Sequence, residues 1–228
     1  MRAMKNTLSM IALCAALAAC GSVDNDTTFR GGAGGDAAYG RGLQALERGQ
    51  TAEAHDYFAC AAEFGGGYEV AWYYAGTTAL EVAREGGENA DTYRETGEHY
   101  LTRSGEAGWG ASQAALARHY HSIGDTERAA YWALLYTNNV REISLGLTRM
   151  DDETIVEIRD AVEPEQLAEA ELQAARFVPE PLPIGRPSAE CAEAIRSDRE
   201  RREERVRAPI RPQRDAPPTQ RPGGNRPY

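Results

Sequence analysis

The 228-residue chain contains a single lysine, Lys5. A Ser-x-x-Lys nucleophile pair and a phosphate-binding loop both need that residue, so neither fits anything beyond the first few positions. Gly-x-Ser-x-Gly is absent as well. Histidine is scarce, at His55, His99, His119 and His121. His119 and His121 are two apart, which on a helix points them about 200° from each other, so they cannot chelate one ion as an i, i+4 pair does. The four cysteines show no zinc spacing. Acidic pairs such as Asp151-Asp152 fall at helix starts, where carboxylates favour the helix dipole without catalytic work. No catalytic residue, cofactor-binding residue or metal ligand is therefore assigned, and no cofactor is expected. Clusters of β-branched residues are missing from the middle of the chain. The longest apolar run, Leu8 to Ala19, is too short to span a bilayer, which takes about 20 residues.

Positive charge is unevenly spread. From Cys20 to Pro187 there are 13 arginines against 28 acids, and from Ser188 to Tyr228 there are 10 arginines against 7 acids. The acidic body argues against nucleic acid as a partner. The basic tail suits an anionic surface.

The N-terminus has the order of a secretory signal. Arg2 and Lys5 precede the apolar run, and small residues close it at Leu17-Ala18-Ala19-Cys20. This stretch resembles the bacterial lipoprotein lipobox. The resemblance implies a signal peptide over 1–19, cleavage before Cys20 and diacylglyceryl and palmitate attachment to that cysteine. Gly21 follows where Asp would resemble an inner-membrane retention signal, so the expected location is the periplasmic face of the outer membrane. Cys60 and Cys191 remain, as a candidate disulfide in an oxidising compartment or as two separate small hydrophobes.

Residues 20–36 are rich in Gly and polar groups and read as a flexible tether, with an r.m.s. span of about 20–24 Å. Residues 37–178 read as helical throughout, dominated by Ala, Leu, Glu, Gln and Arg. Ala54, Tyr57, Phe58, Ala61 and Ala62 make one apolar stripe, and Ala129, Ala130, Ala133, Leu134 and Thr137 make another. Breaks are expected at Gly49-Gln50, Gly65-Gly66-Gly67, Gly86-Gly87, Gly108-Trp109-Gly110 and Gly124-Asp125. Arg141 to Phe177 should add two or three helices, with Ile155, Ile158, Val162, Leu167 and Leu172 inward. Pro179, Pro181, Pro183 and Pro187 predict a stiff linker over 179–187. A charged helix over 188–207, with Ser188 as N-cap, and a disordered Arg/Pro-rich tail over 208–228 complete the reading.

Gly-x-Thr-x-x-Ala occurs at Gly49 and again at Gly124, each time running into an aromatic-bearing helix. Gly87 opens a further helix between them. With Ala61-Ala62-Glu63-Phe64-Gly65 and Ser104-Gly105-Glu106-Ala107-Gly108, the region Ala37 to Asn139 resembles tetratricopeptide or Sel1-like repeats. The resemblance implies an all-α fold, a short α-solenoid of helix–turn–helix repeats. It departs from the pattern where Ser104-Gly105 replaces the paired Ala and where the middle repeat is longer.

In such stacks the first helix of each repeat lines a groove, which makes Tyr68, Trp72, Tyr73, Tyr74, His119 and Tyr120 the candidate groove residues. Core packing is the alternative for each ring, and is favoured for Trp132 and Tyr136. Repeat lipoproteins of this kind serve in outer-membrane assembly, pilus secretion and polysaccharide export. The expected function is non-catalytic: a lipid-anchored envelope scaffold whose groove binds another envelope protein. Two alternatives stand beside it. One is a tether gripping peptidoglycan or anionic lipid through the tail, and the other is an unrecognised envelope enzyme.

Overall fold

The computed structural model describes residues 33–147 and 149–207. The signal region, Cys20, most of the expected tether and residues 208–228 lie outside them. The described chain forms ten helices: α1 (Ala33–Glu47), α2 (Thr51–Ala62), α3 (Glu69–Glu85), α4 (Ala90–Glu106), α5 (Gly110–Ser122), α6 (Thr126–Thr137), α7 (Val140–Leu145), α8 (Asp152–Asp160), α9 (Pro164–Ala175) and α10 (Ala189–Arg207). Among the described residues there is no β-strand, only an isolated antiparallel bridge between Gly65 and Ile184. The fold is all-helical.

Helix boundaries follow local chemistry. The anticipated glycine breaks take the left-handed backbone that ends a helix, as at Gly49 (φ 70°) and Gly124 (φ 78°). Asp125 then caps α6 by accepting the Arg128 N–H at 3.1 Å, and Asp151 caps α8 by accepting the Thr154 N–H at 2.8 Å. Pro164 opens α9, where its missing N–H costs nothing.

Each of α1 to α5 packs against the next in sequence, and α9 closes the far end on α6. Short turns reverse the chain each time. The α2–α3, α4–α5 and α6–α7 turns therefore lie along one edge, and the intervening turns along the other. The two apolar stripes face inward: Ala54, Phe58, Ala61, Ala62, Ala129, Ala130 and Ala133 are all buried. Small residues set the spacing. A Cβ added to Gly76 on α3 would lie 3.0 Å from the Gly97 carbonyl oxygen on α4, so these helices meet nearly backbone to backbone. Ser104-Gly105 has a similar reason. The Ser104 hydroxyl donates to the Glu69 carbonyl (3.1 Å) and accepts from Ser112 (2.9 Å), while Trp132 fills the space a Gly105 side chain would take.

Three expectations need correction. Helix α1 begins at Ala33, inside the expected tether, because Gly34 and Gly35 are packing surfaces. A Cβ on Gly35 would come within 2.5 Å of the Tyr68 ring, whose hydroxyl donates to Asp36 at 2.9 Å. Leu172 does not face inward: it is 44% exposed, while Ala170 and Ala174 carry the contact of α9 with the core.

The third correction concerns the proline segment. It is extended but it is not a free linker. Leu182 is buried, the Glu180 N–H donates to the Glu106 carbonyl (2.9 Å), and Pro179 packs on Gly108. Gly66 N–H donates to Pro183 (3.0 Å) and Gly185 N–H to Phe64 (3.0 Å). The chain thus straps the edge formed by the α4–α5 and α2–α3 turns. Ser188 binds Glu63 through its N–H and hydroxyl, and its hydroxyl oxygen caps α10 by accepting the Cys191 N–H. A disulfide joins Cys191 to Cys60, with Cα atoms 5.3 Å apart. Ile195 then packs into the cluster that holds Phe64, Tyr68 and Ala38. The helix over 188–207 is consequently docked along its first two turns, through Cys191 and Ile195.

Candidate functional site

Of the six candidate groove residues, Tyr68 and Tyr120 are buried and Trp72, Tyr73, Tyr74 and His119 are half-buried. Tyr68 has no exposed surface and Tyr120 has 3%, so neither ring lines a groove. Tyr68 sits between α1 and Phe64, and burial, with help from its bond to Asp36, pushes its pKa upward. Trp72 spans the α2–α3 interface: its indole N–H donates to the Ala62 carbonyl at 2.9 Å and its ring lies edge-on to Tyr100 at 5.2 Å. Tyr74 stacks on Phe58 at 4.9 Å, and Tyr73 packs on the larger core cluster. These rings are spacers between helices, as expected for Trp132 and Tyr136, which are buried too.

His119 and Tyr120 belong to a polar staple joining α4, α5 and α6. Glu98 bonds His119 Nε2 at 2.9 Å and accepts the Tyr120 hydroxyl at 3.1 Å. Arg128 lies over the Tyr120 ring at 4.0 Å, pairs with Glu98 at 3.5 Å and with Asp125 at 2.6 Å. Burial, then the Glu98 charge, pushes the Tyr120 phenol up to about 12, partly opposed by Arg128. The Arg128 hydrogen bond holds the Asp125 carboxyl below its ordinary value. Every member is satisfied by a neighbour, which is the pattern of a structural network.

A cleft of about 370 Å³ lies on the strapped edge, at the end of the stack away from α1. Gly108, Asn139, Val140, Arg141, Phe177 and Pro179 are among its walls. Polar bonds fix its floor: Asn139 Nδ2 donates to Gln113 Oε1 (2.8 Å) and to the Gly108 carbonyl (3.0 Å), and Gln113 donates to the Gly105 carbonyl (3.0 Å). Asn139 Oδ1 accepts the Arg141 N–H at 3.1 Å, so the same side chain starts α7. Arg141 covers the Trp109 ring at 4.8 Å. Glu142 turns inward against Gly110 and keeps Arg149 at 3.6 Å. Exposed apolar side chains stand beside the exposed Asn138 and Arg141 there: Val140, in the lining, is 77% exposed, Val178, between the lining residues Phe177 and Pro179, is 80% exposed, and Ile143 one turn along α7 is also exposed.

Sequence reasoning missed this cleft. The signal available was the apolar series Val140, Ile143, Leu145 and Leu147, set in an otherwise polar region; all four are exposed. Among the described residues no group of three or more His, Cys, Asp or Glu is placed to hold a metal ion. No helix among them is long and apolar enough to cross a membrane. No family model, no curated protein and no solved structure matches the chain.

Proposed function

We propose that the protein is a lipid-anchored scaffold of a bacterial envelope, built on tetratricopeptide- or Sel1-like repeats, that seats another envelope protein in the cleft beside α7. The anchor is Cys20, and the expected site is the periplasmic face of the outer membrane. The paired helices α1/α2, α3/α4 and α5/α6 are the units of the repeat, and α8 with α9 cover the last apolar face, as a stacked repeat array requires. The observation that carries the partner reading is the exposure of Val140, Ile143 and Val178 around one cleft. Large apolar side chains left exposed beside a pocket are the kind of surface that interaction sites use.

Two measurements test this in cells. Cys20→Ser should abolish palmitate labelling and release the protein from membranes; retention of the unlabelled variant would overturn the anchor. A photo-crosslinking residue at 140 or 178 should capture a discrete envelope protein, whereas one at Ile123, an exposed apolar position on the opposite edge, should not. Equal capture from all three positions, or from none, would overturn the cleft.

A further inference from the structure

The cleft differs in charge from the body that carries it. From Cys20 to Pro187 the chain holds 28 acids against 13 arginines. Among the described residues that line the cleft there is no acid, and Arg141 is the one charged side chain. The carboxylates that flank the lining in sequence are held elsewhere. Glu106 lies 2.9 Å from Arg103, and Glu180 lies 4.0 Å from the same guanidinium. Glu142 is buried against Gly110, with Arg149 at 3.6 Å.

Arg141 has no such partner. It is exposed, it makes no ion pair among the described residues, and its guanidinium lies over the Trp109 ring at 4.8 Å. An arginine held on an aromatic face keeps its N–H donors in a fixed fork, which matches a carboxylate with two parallel bonds. The floor offers no rival to it. Asn139 Nδ2 is used by Gln113 and the Gly108 carbonyl, Asn139 Oδ1 by the start of α7, and Gln113 by the Gly105 carbonyl. The other walls are apolar, with Leu135, Val140, Ala174, Phe177 and Pro179 among them.

Size narrows the occupant. At about 370 Å³ the cleft is near the lower end of the range for ligand pockets, ~300–1,000 Å³. A docked helix needs a longer groove, with anchor sites for residues three, four and seven apart. One large side chain and its neighbour are the natural filling.

We propose that the cleft binds a peptide segment in which a large apolar side chain stands next to an Asp or Glu. The apolar side chain enters between Val140, Phe177 and Pro179, and the carboxylate pairs with Arg141. This names the chemistry of the partner and rests on the cleft reading above. The acidic body repels such a segment everywhere else, so repulsion as well as attraction selects the seat.

The chain Gly21–Tyr228 keeps every described residue and carries no acyl group, so it suits peptide selection in solution. From a random heptapeptide library with fixed residues at both ends, it should enrich a large apolar residue beside Asp or Glu. An enriched peptide, acetylated and amidated, should bind at least tenfold more weakly to Arg141→Gln and to Val140→Asp, and equally well to Arg196→Gln, an exposed position on α10. High salt should weaken the wild-type complex. Changing the acidic residue of the peptide to its amide should cost as much as Arg141→Gln, and the two losses should not add. Enrichment of basic or purely apolar peptides, no enrichment, undiminished binding by Arg141→Gln, or additive losses would overturn the proposal. So would binding that requires a free C-terminal carboxylate. Crosslinking in cells from positions 140 and 178 that persists alongside any of these results would leave the cleft reading standing and remove only the partner chemistry.

Discussion

Gly65 and Pro183 meet backbone to backbone, in space that no side chain at position 65 could share. A Cβ on Gly65 would overlap the Pro183 carbonyl oxygen, and φ at Gly65 is 78°. Two costs coincide there, a left-handed backbone that L side chains resist and a direct steric conflict. Gly65→Ala should lower stability by about 1–3 kcal/mol, the range for backbone strain of this kind. It should also speed proteinase K cleavage within residues 178–187, because the strap must lift to make room. Chemical denaturation and timed proteolysis check both. An unshifted midpoint with unchanged cleavage would show that the strap does not bear on this turn.

Cutting after Phe177 removes more than a tail. Leu182, Cys191 and Ile195 leave the body, along with the disulfide. From sequence alone such a fragment is expected to fold independently. The docked strap changes that expectation. Loss of a native disulfide costs about 2–5 kcal/mol in small secreted domains. The fragment should keep most of its helical signal, but its denaturation midpoint should fall well below that of the whole chain. A matching midpoint would restore the boundary at 178.

Ala62→Arg tests the close approach of α2 and α3. Ala62 is buried, and its carbonyl already accepts the Trp72 indole N–H. A long cation there must displace Trp72 or break the α2 stripe. Overpacking costs about 1–3 kcal/mol and an unpaired buried charge adds more. Cooperative melting should be lost. A wild-type melting curve would mean that this face is open.

Two tyrosines set an alkaline limit. Burial, then Tyr74, raises the Tyr39 phenol to about 12; burial, then Glu98, raises Tyr120 to the same value. A raised folded-state pKa contributes stability that is complete below the unfolded value near 10 and is lost as pH climbs toward 12. Stability should therefore fall between pH 10 and 12, and Tyr120→Phe should flatten part of that fall. Denaturant midpoints across that range, with phenolate absorbance, measure it. An identical slope in the variant would show that Tyr120 ionises freely.

The helices were legible because their signals are local. Glycines at 49, 65, 86, 108 and 124 mark the turns, and the Ala54–Phe58–Ala61 spacing identifies an inward face from a dozen residues. The strap was not legible because its partners are distant. Pro179 to Pro187 has no periodicity, and nothing near Gly65 in sequence says that Pro183 will cover it. The aromatic rings of α3 were misplaced for a related reason. A ring on a helix lines a groove or fills an interface according to the neighbouring helix, and Tyr68 meets α1 through Gly35 and Asp36, residues that resemble a tether. The cleft depends on the same long-range return, since Pro179 is one of its walls.

The bond between Cys60 and Cys191 makes a covalent ring of the chain, spanning 131 residues in sequence. Everything from α3 to α9 lies inside that ring. The helices between can assemble progressively, since each packs on its predecessor, but closure must wait until position 191 has emerged. Ring closure is thus a completeness check. A polypeptide that stops between Ala175 and Cys191 keeps α1 to α9 but has an open edge and an unpaired Cys60 thiol, and in chains that start at Gly21, where Cys60 and Cys191 are the only cysteines, a thiol-reactive probe applied under oxidising conditions would distinguish the unfinished chains from the finished ones.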